Sequence, residues 1–94
     1  MKTILITGAT SGIGLAAAKK LANEKNQLIL CGRRQDKLDE ISEELSKSTN
    51  ALSLCFDVSN KNEVNRLLTN LPKKFSSIDI LINNAGNAHG LDTI

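Results

Sequence analysis

The residues with most chemistry to offer are the glycines of Thr7-Gly8-Ala9-Thr10-Ser11-Gly12-Ile13-Gly14. They form a turn between the apolar run Ile4-Leu5-Ile6 and the helix-forming run Leu15-Ala16-Ala17-Ala18. A strand that stops, reverses and feeds a helix leaves the helix's first backbone N–H groups without partners. Those groups carry the positive end of the helix dipole, so the place suits an anion, a phosphate above all. Glycine permits the reversal and, lacking a Cβ, lets a diphosphate approach the backbone. The candidate cradle is the backbone of Gly8, Ala9, Thr10, Ser11, Gly12, Ile13 and Gly14. A turn that merely joins strand to helix is the alternative; the flanking patterns favour nucleotide binding.

Three more groups stand at the ends of strand-like runs. Arg33 and Arg34 come after the second run. Roughly 20 residues beyond such a turn, an NAD site places an acid that accepts from the ribose 2′-hydroxyl. An acid would repel a 2′-phosphate, whereas a guanidinium binds one in bidentate fashion. A solvated pair is the plainer reading, yet positive charge at the start of a helix sits poorly with the dipole. The pair therefore points to NADP. Asp57 with Val58 closes the third run, where the aspartate either caps its own loop or accepts from an adenine amino group. Asn83-Asn84-Ala85-Gly86 closes the fourth; the asparagine amides can bridge neighbouring loops, and Ala85 and Gly86 leave backbone open for a ribose. His89, the one histidine, can titrate near neutral pH but has no serine or aspartate pattern around it, and reads as a surface residue. Lys73 and Lys74 read as a solvated connection.

Positioning these groups requires a scaffold that gathers strand ends at one edge. Strand and helix patterns alternate along the chain, which predicts a parallel sheet of βαβ units. Residues 2–7 read as a strand, and 12–23 as a helix with Ile13, Ala17 and Leu21 on its inner face. Residues 27–31 read as a strand that is apolar at consecutive positions, as when both faces are covered. Residues 36–47 follow as a helix with Leu38, Ile41 and Leu45 inward. Leu52, Leu54 and Phe56 alternate with Ser53 and Cys55 in a third strand. Asn60 with Glu63 forms a capping box that opens a helix running to about Leu71; Val64, Leu67, Leu68 and Leu71 face inward, and Pro72 ends it. Residues 78–83 form a fourth strand. Right-handed crossovers then give a doubly wound α/β sheet in the order 3-2-1-4, the amino-terminal half of a Rossmann-type domain over residues 1–94.

Composition agrees with one small globular domain: 40% of residues are hydrophobic and 23% charged. The net charge of +2, with basic residues scattered among acids, argues against a nucleic-acid partner. No apolar run approaches the ~20 residues of a membrane span, and the start of the chain does not resemble a signal peptide. A cytoplasmic protein with a small-molecule partner is expected. Cys31 and Cys55 belong to no C-x-x-C or Cys/His cluster, which leaves a metal site unsupported. Free buried thiols are expected, with a disulfide between them left open.

T-G-A-T-S-G-I-G at 7–14, Asp57-Val58, and I-D-I-L-I-N-N-A-G at 78–86 together resemble the amino-terminal half of a classical short-chain dehydrogenase/reductase. The likeness covers essentially the whole chain. Extended members such as sugar epimerases space their glycines as T-G-x-x-G-x-x-G, unlike this turn. C-G-R-R-Q-D-K-L and N-N-A-G-N-A-H-G are similar to NADP-dependent 3-hydroxy acid dehydrogenases that also oxidise serine; 3-oxoacyl-carrier-protein reductases are the nearest competitor. The resemblance implies that Gly8 to Gly14 cradle the diphosphate, Arg33 and Arg34 hold the 2′-phosphate, and Asp57 and Val58 contact adenine. It implies that Asn83, Asn84, Ala85 and Gly86 steady the sheet and line the nicotinamide ribose. It further implies hydride transfer between NADP(H) and a secondary alcohol or ketone, and a tetrameric parent protein. That chemistry needs a serine and a Tyr-x-x-x-Lys pair, and the chain has no tyrosine. The expectation is the cofactor-holding part of a longer enzyme, unable to transfer hydride alone. A non-catalytic dinucleotide-binding module is the alternative; it would need polar positions that Ile78, Ile80, Leu81 and Ile82 do not supply.

Overall fold

The computed structural model describes residues 1–57 and 59–84. Val58, Ala85, Gly86 and His89 lie outside the described residues. Strands β1 (Lys2–Thr7), β2 (Asn26–Gly32), β3 (Ala51–Cys55) and β4 (Ile80–Asn83) form one sheet in the order β3-β2-β1-β4. All three pairings are parallel, with Ile4 opposite both Leu28 and Ile80, and Cys31 opposite Leu54. Helices α1 (Gly12–Leu21), α2 (Gln35–Leu45) and α3 (Lys61–Thr69) connect them.

Side chains alternate across each strand, so the sheet carries two separate cores. Ile4, Ile6, Leu28 and Leu30 meet Ala18, Leu38 and Leu45 of α1 and α2. On the other side Leu5, Ile29 and Cys31 meet Phe56, Val64 and Phe75, with Leu67, Leu68 and Leu71 packed around them. Burial of both faces is the physical reason that β1 and β2 are apolar at successive positions; each enclosed aliphatic side chain contributes about 1.5–3 kcal/mol. Cys31 joins one core and Cys55 packs against the other, so the sheet separates the two thiols, and both are free.

Several boundaries differ from those read in the sequence. The first helix stops at Leu21, β2 extends over Asn26–Gly32, α2 begins at Gln35 and ends at Leu45, α3 ends at Thr69, and β4 begins only at Ile80. The inner face of α1 also differs: it is Gly14 and Ala18 that are buried, while Ile13 is 76% exposed. Steps of four fit either set, but the helix lies so close to the turn before it that only the smallest residues fit between. The α3 start agrees with its capping signal, since the Asn60 side chain accepts from the Glu63 N–H at 3.1 Å.

The amino-terminal edge of the sheet is tied by polar groups. Asp79 accepts through Oδ2 from the Thr3 N–H at 2.8 Å, and its own N–H donates to the Thr3 carbonyl at 2.9 Å. Gln27 donates through Nε2 to the Thr3 hydroxyl at 2.8 Å and to the Lys74 carbonyl. The segment with Lys73 and Lys74 is therefore more than a solvated connection. It is a single 3-10 turn, Lys73–Phe75, whose phenylalanine plugs the second core.

Candidate functional site

At the opposite edge, β1, β2, β3 and β4 end together, and the direction of winding reverses between β1 and β4. In open parallel sheets ligands bind at that reversal, outside the carboxyl ends. Three segments meet there within hydrogen-bond distance. The Thr7 hydroxyl donates to Asn83 Oδ1 at 2.9 Å and accepts from the Asn84 N–H, also at 2.9 Å. The Asn84 amide donates through Nδ2 to the Gly8 carbonyl at 3.3 Å. The two asparagines thus bridge β4 to the turn, as their amides suggested in the sequence. Thr7, buried and central to this link, was not singled out there; nothing local marks it, because its partners are 76 and 77 residues away.

The turn itself is shaped by its glycines. Gly8 sits at φ +61 and Gly12 at φ +58, where other residues pay a steric cost of about 1–2 kcal/mol. A β carbon on Gly14 would lie 2.2 Å from the Gly8 carbonyl oxygen, so α1 can start this close to β1 only with glycine there. An added β carbon at Gly12 meets no atom within 4 Å, and the outer side of the turn is open.

Helix α1 begins with no acidic side chain in its first turn, and Ser11, at its N-cap, makes no side-chain capping bond. Its leading N–H groups are therefore left to whatever occupies the open side, and a phosphate suits them by charge and by hydrogen bonding. One residue of the expected cradle drops out as a donor. Ala9 is fully buried, and its N–H donates to the Cys31 carbonyl at 3.0 Å. That bond anchors the turn to β2, and the groups facing outward come from the residues beyond it.

Arg33 and Arg34 extend from the end of β2 into solvent. Arg33 Nη1 stands 3.8 Å from Asp57 Oδ2, and Arg34 Nη2 stands 3.2 Å from Asp36 Oδ2. Arg34 is the N-cap residue of α2, and Asp36 in the first turn of that helix offsets its unfavourable charge. Asp57 accepts through Oδ1 from the Ser59 N–H at 3.0 Å and from its hydroxyl at 2.8 Å. These bonds, then the Arg33 charge, hold its carboxyl below the ordinary aspartate range; a bond from the Lys37 N–H and the Arg34 charge do the same for Asp36. Asp57 thus caps its loop through Oδ1, the first of the two roles left open in the sequence, and its Oδ2 faces Arg33. The carboxylate partners Asp36 and Ser59's bonds to Asp57 were not foreseen, although Asp-x-Ser is a recognisable side-chain turn signal.

A groove of about 140 Å³ runs between α1 and α2, lined by Thr10, Leu15, Lys19, Lys37, Ile41 and Glu44 among others. It flanks the turn on its helical side and does not include Gly8 or Asn84. Among the described residues no group of three metal-ligating side chains comes together, and no helix is long and apolar enough to cross a membrane.

Parallel strands in this order, with a glycine turn opening α1 at the reversal point, define a Rossmann-type α/β domain. Residues 2–93 match the family model described as short chain dehydrogenase, and the chain belongs to that family. It is 46% identical over 96 residues to the NADP-dependent 3-hydroxy acid dehydrogenase of Schizosaccharomyces pombe, covering 99% of this chain and 37% of that protein. It is 43% identical over 88 residues to the serine 3-dehydrogenase of Rhizobium radiobacter, covering 94% and 34%. Among solved structures, L-sorbose reductase from Gluconobacter frateurii complexed with NADPH and L-sorbose superimposes with a TM-score of 0.82 at 35% identity, covering 92% of this chain and 34% of that one. The chain thus spans about a third of the length of the relatives it matches.

Proposed function

We propose that this chain is the NADP(H)-binding part of an oxidoreductase that interconverts a secondary alcohol and a ketone. The observation that carries the reading is the pairing of two features at one sheet edge: an open glycine turn at an uncapped helix start, and two solvent-facing arginines at the end of β2. The turn suits the diphosphate by its backbone, and the arginines suit a 2′-phosphate by their geometry. Asp57 and Val58 would contact adenine, the aspartate accepting from its amino group through Oδ2. Asn83 and Asn84 hold the β4 end against the turn, where Ala85 and Gly86 would continue along the nicotinamide ribose. When bound, NADP(H) supplies or accepts the hydride. The names of the relatives support NADP as cofactor and a 3-hydroxy acid as substrate class. We place the parent protein in the cytoplasm as a homotetramer, with the serine, tyrosine and lysine of its chemistry outside these residues.

Replacing Arg33 with Asp and Arg34 with Ala together tests the cofactor reading. NADPH affinity is expected to fall by about tenfold or more, the size of a lost charge-assisted bidentate contact, while NADH affinity holds or rises. Unchanged NADPH affinity would contradict it.

A further inference from the structure

We infer that Arg33 and Asp57 couple the recognition of a 2′-phosphate to the recognition of adenine, so that each end of the adenosine 2′-phosphate moiety is bound better when the other is present. This rests on the cofactor reading above and goes beyond it, because it makes the two subsites interdependent.

The two oxygens of Asp57 do different work. Oδ1 is held by the Ser59 N–H and hydroxyl, which fixes the carboxylate to its own loop. Oδ2 faces Arg33 Nη1 at 3.8 Å. Gly32 stands opposite Cys55 in the sheet, so the chain leaves β2 and β3 side by side and brings these residues to one edge. The Arg33 side chain is 76% exposed and that of Asp57 49%, so water screens the pair and it separates at little cost. Arg34 has a different carboxylate on its own helix, Asp36, which leaves Arg33 as the guanidinium that bears on Asp57.

At 3.8 Å Arg33 makes no hydrogen bond to Oδ2, but its charge draws on that oxygen and makes it a poorer acceptor for an adenine amino group. A phosphate offers the guanidinium three strong acceptor oxygens and a greater charge than one carboxylate oxygen does. Drawn onto a 2′-phosphate, Arg33 turns its charge from Oδ2, and the adenine amino group gains a better acceptor. A ligand without that phosphate meets Asp57 with Arg33 still beside it. Asp57 is in this way a specificity-determining residue that acts through its neighbour: it makes an unphosphorylated adenosine bind poorly as well as leaving the arginine for a phosphorylated one.

Nuclear magnetic resonance titrations of the chain with adenosine, inosine and adenosine 2′-monophosphate test this. Arg33→Gln lies on an exposed side chain, and its amide spectrum reports that the fold is kept. In that variant adenosine should bind about two- to fivefold tighter, the range spanned by exposed ion pairs. Inosine, which carries a carbonyl in place of the amino group, should gain nothing, and adenosine 2′-monophosphate should bind more weakly. In an Asp57→Asn background, Arg33→Gln should no longer change adenosine affinity. Adenosine binding that is unchanged or weakened by Arg33→Gln alone would overturn the coupling. A native chain with no preference for adenosine 2′-monophosphate over adenosine would overturn the cofactor reading, and the coupling with it.

Discussion

A β carbon at residue 14 would lie 2.2 Å from the Gly8 carbonyl oxygen and 2.6 Å from the Asn84 amide nitrogen. Gly14 and Gly8 are therefore in direct backbone contact, and α1 is seated against both the turn and the end of β4. Gly14→Ala forces that contact apart, and overpacking of this kind costs about 1–3 kcal/mol. Urea unfolding should show the lowered midpoint, and nucleotide affinity should fall with it. Gly12→Ala finds open space and meets only the strain of its positive φ. An unchanged midpoint for Gly14→Ala would contradict this account of the seat.

Thr7 links the turn to β4 more strongly than Asn84 does. Thr7→Val removes a donor to Asn83 and an acceptor for the Asn84 N–H, both near a fully buried site. The expected loss is about 1–3 kcal/mol, because two hydrogen bonds of a buried hydroxyl are removed at once. Asn84→Ala removes one longer bond, at 3.3 Å, and should cost about 1 kcal/mol or less. Denaturant unfolding of the two variants side by side ranks them.

Gln27 clips the Lys73–Phe75 turn to the sheet. Gln27→Leu should destabilise by about 1–3 kcal/mol, since it removes the donor to both the Thr3 hydroxyl and the Lys74 carbonyl. Lys74→Ala should be near neutral, because Gln27 bonds to its backbone. Thermal unfolding would contradict the clip if the two variants changed alike.

Burial pushes the Cys31 thiol up to about 12. A thiol whose folded pKa is raised contributes stability that is intact below its unfolded value, about 8.5, and is lost as pH rises toward 12. Unfolding free energy should therefore decline above about pH 8.5, and Cys31→Ala or Cys31→Val should flatten that decline. Asp36 and Asp57 act at the other end. Their folded values are depressed, so their contribution is present above about pH 4 and lost as pH falls through the folded values. A disulfide-exchange reagent should label Cys55 in the folded chain and Cys31 only on unfolding. Equal labelling rates would contradict the burial.

The order 3-2-1-4 was legible because apolar runs, helix periods and crossover handedness each act locally or by general rule. So were the Asn60 cap and the bridging role of Asn83 and Asn84, whose chemistry follows from their place after a strand. The exposure of Ile13 was not legible, since its spacing suits a buried stripe and only the Gly8–Gly14 contact decides otherwise. Nor were Thr7, Gln27 and Phe75, which acquire partners far along the chain through the sheet register. The arginine pair was legible as charge at the end of a strand, but the facing of Arg33 and Asp57 depends on how β2 and β3 end side by side.

The most direct test of the central claim is calorimetric titration of this chain with NADPH and with NADH under one ionic strength. NADPH should bind about tenfold tighter or more, the difference a bidentate guanidinium–phosphate contact makes. Equal affinity for the two, or no measurable binding of either to a folded chain, would contradict it.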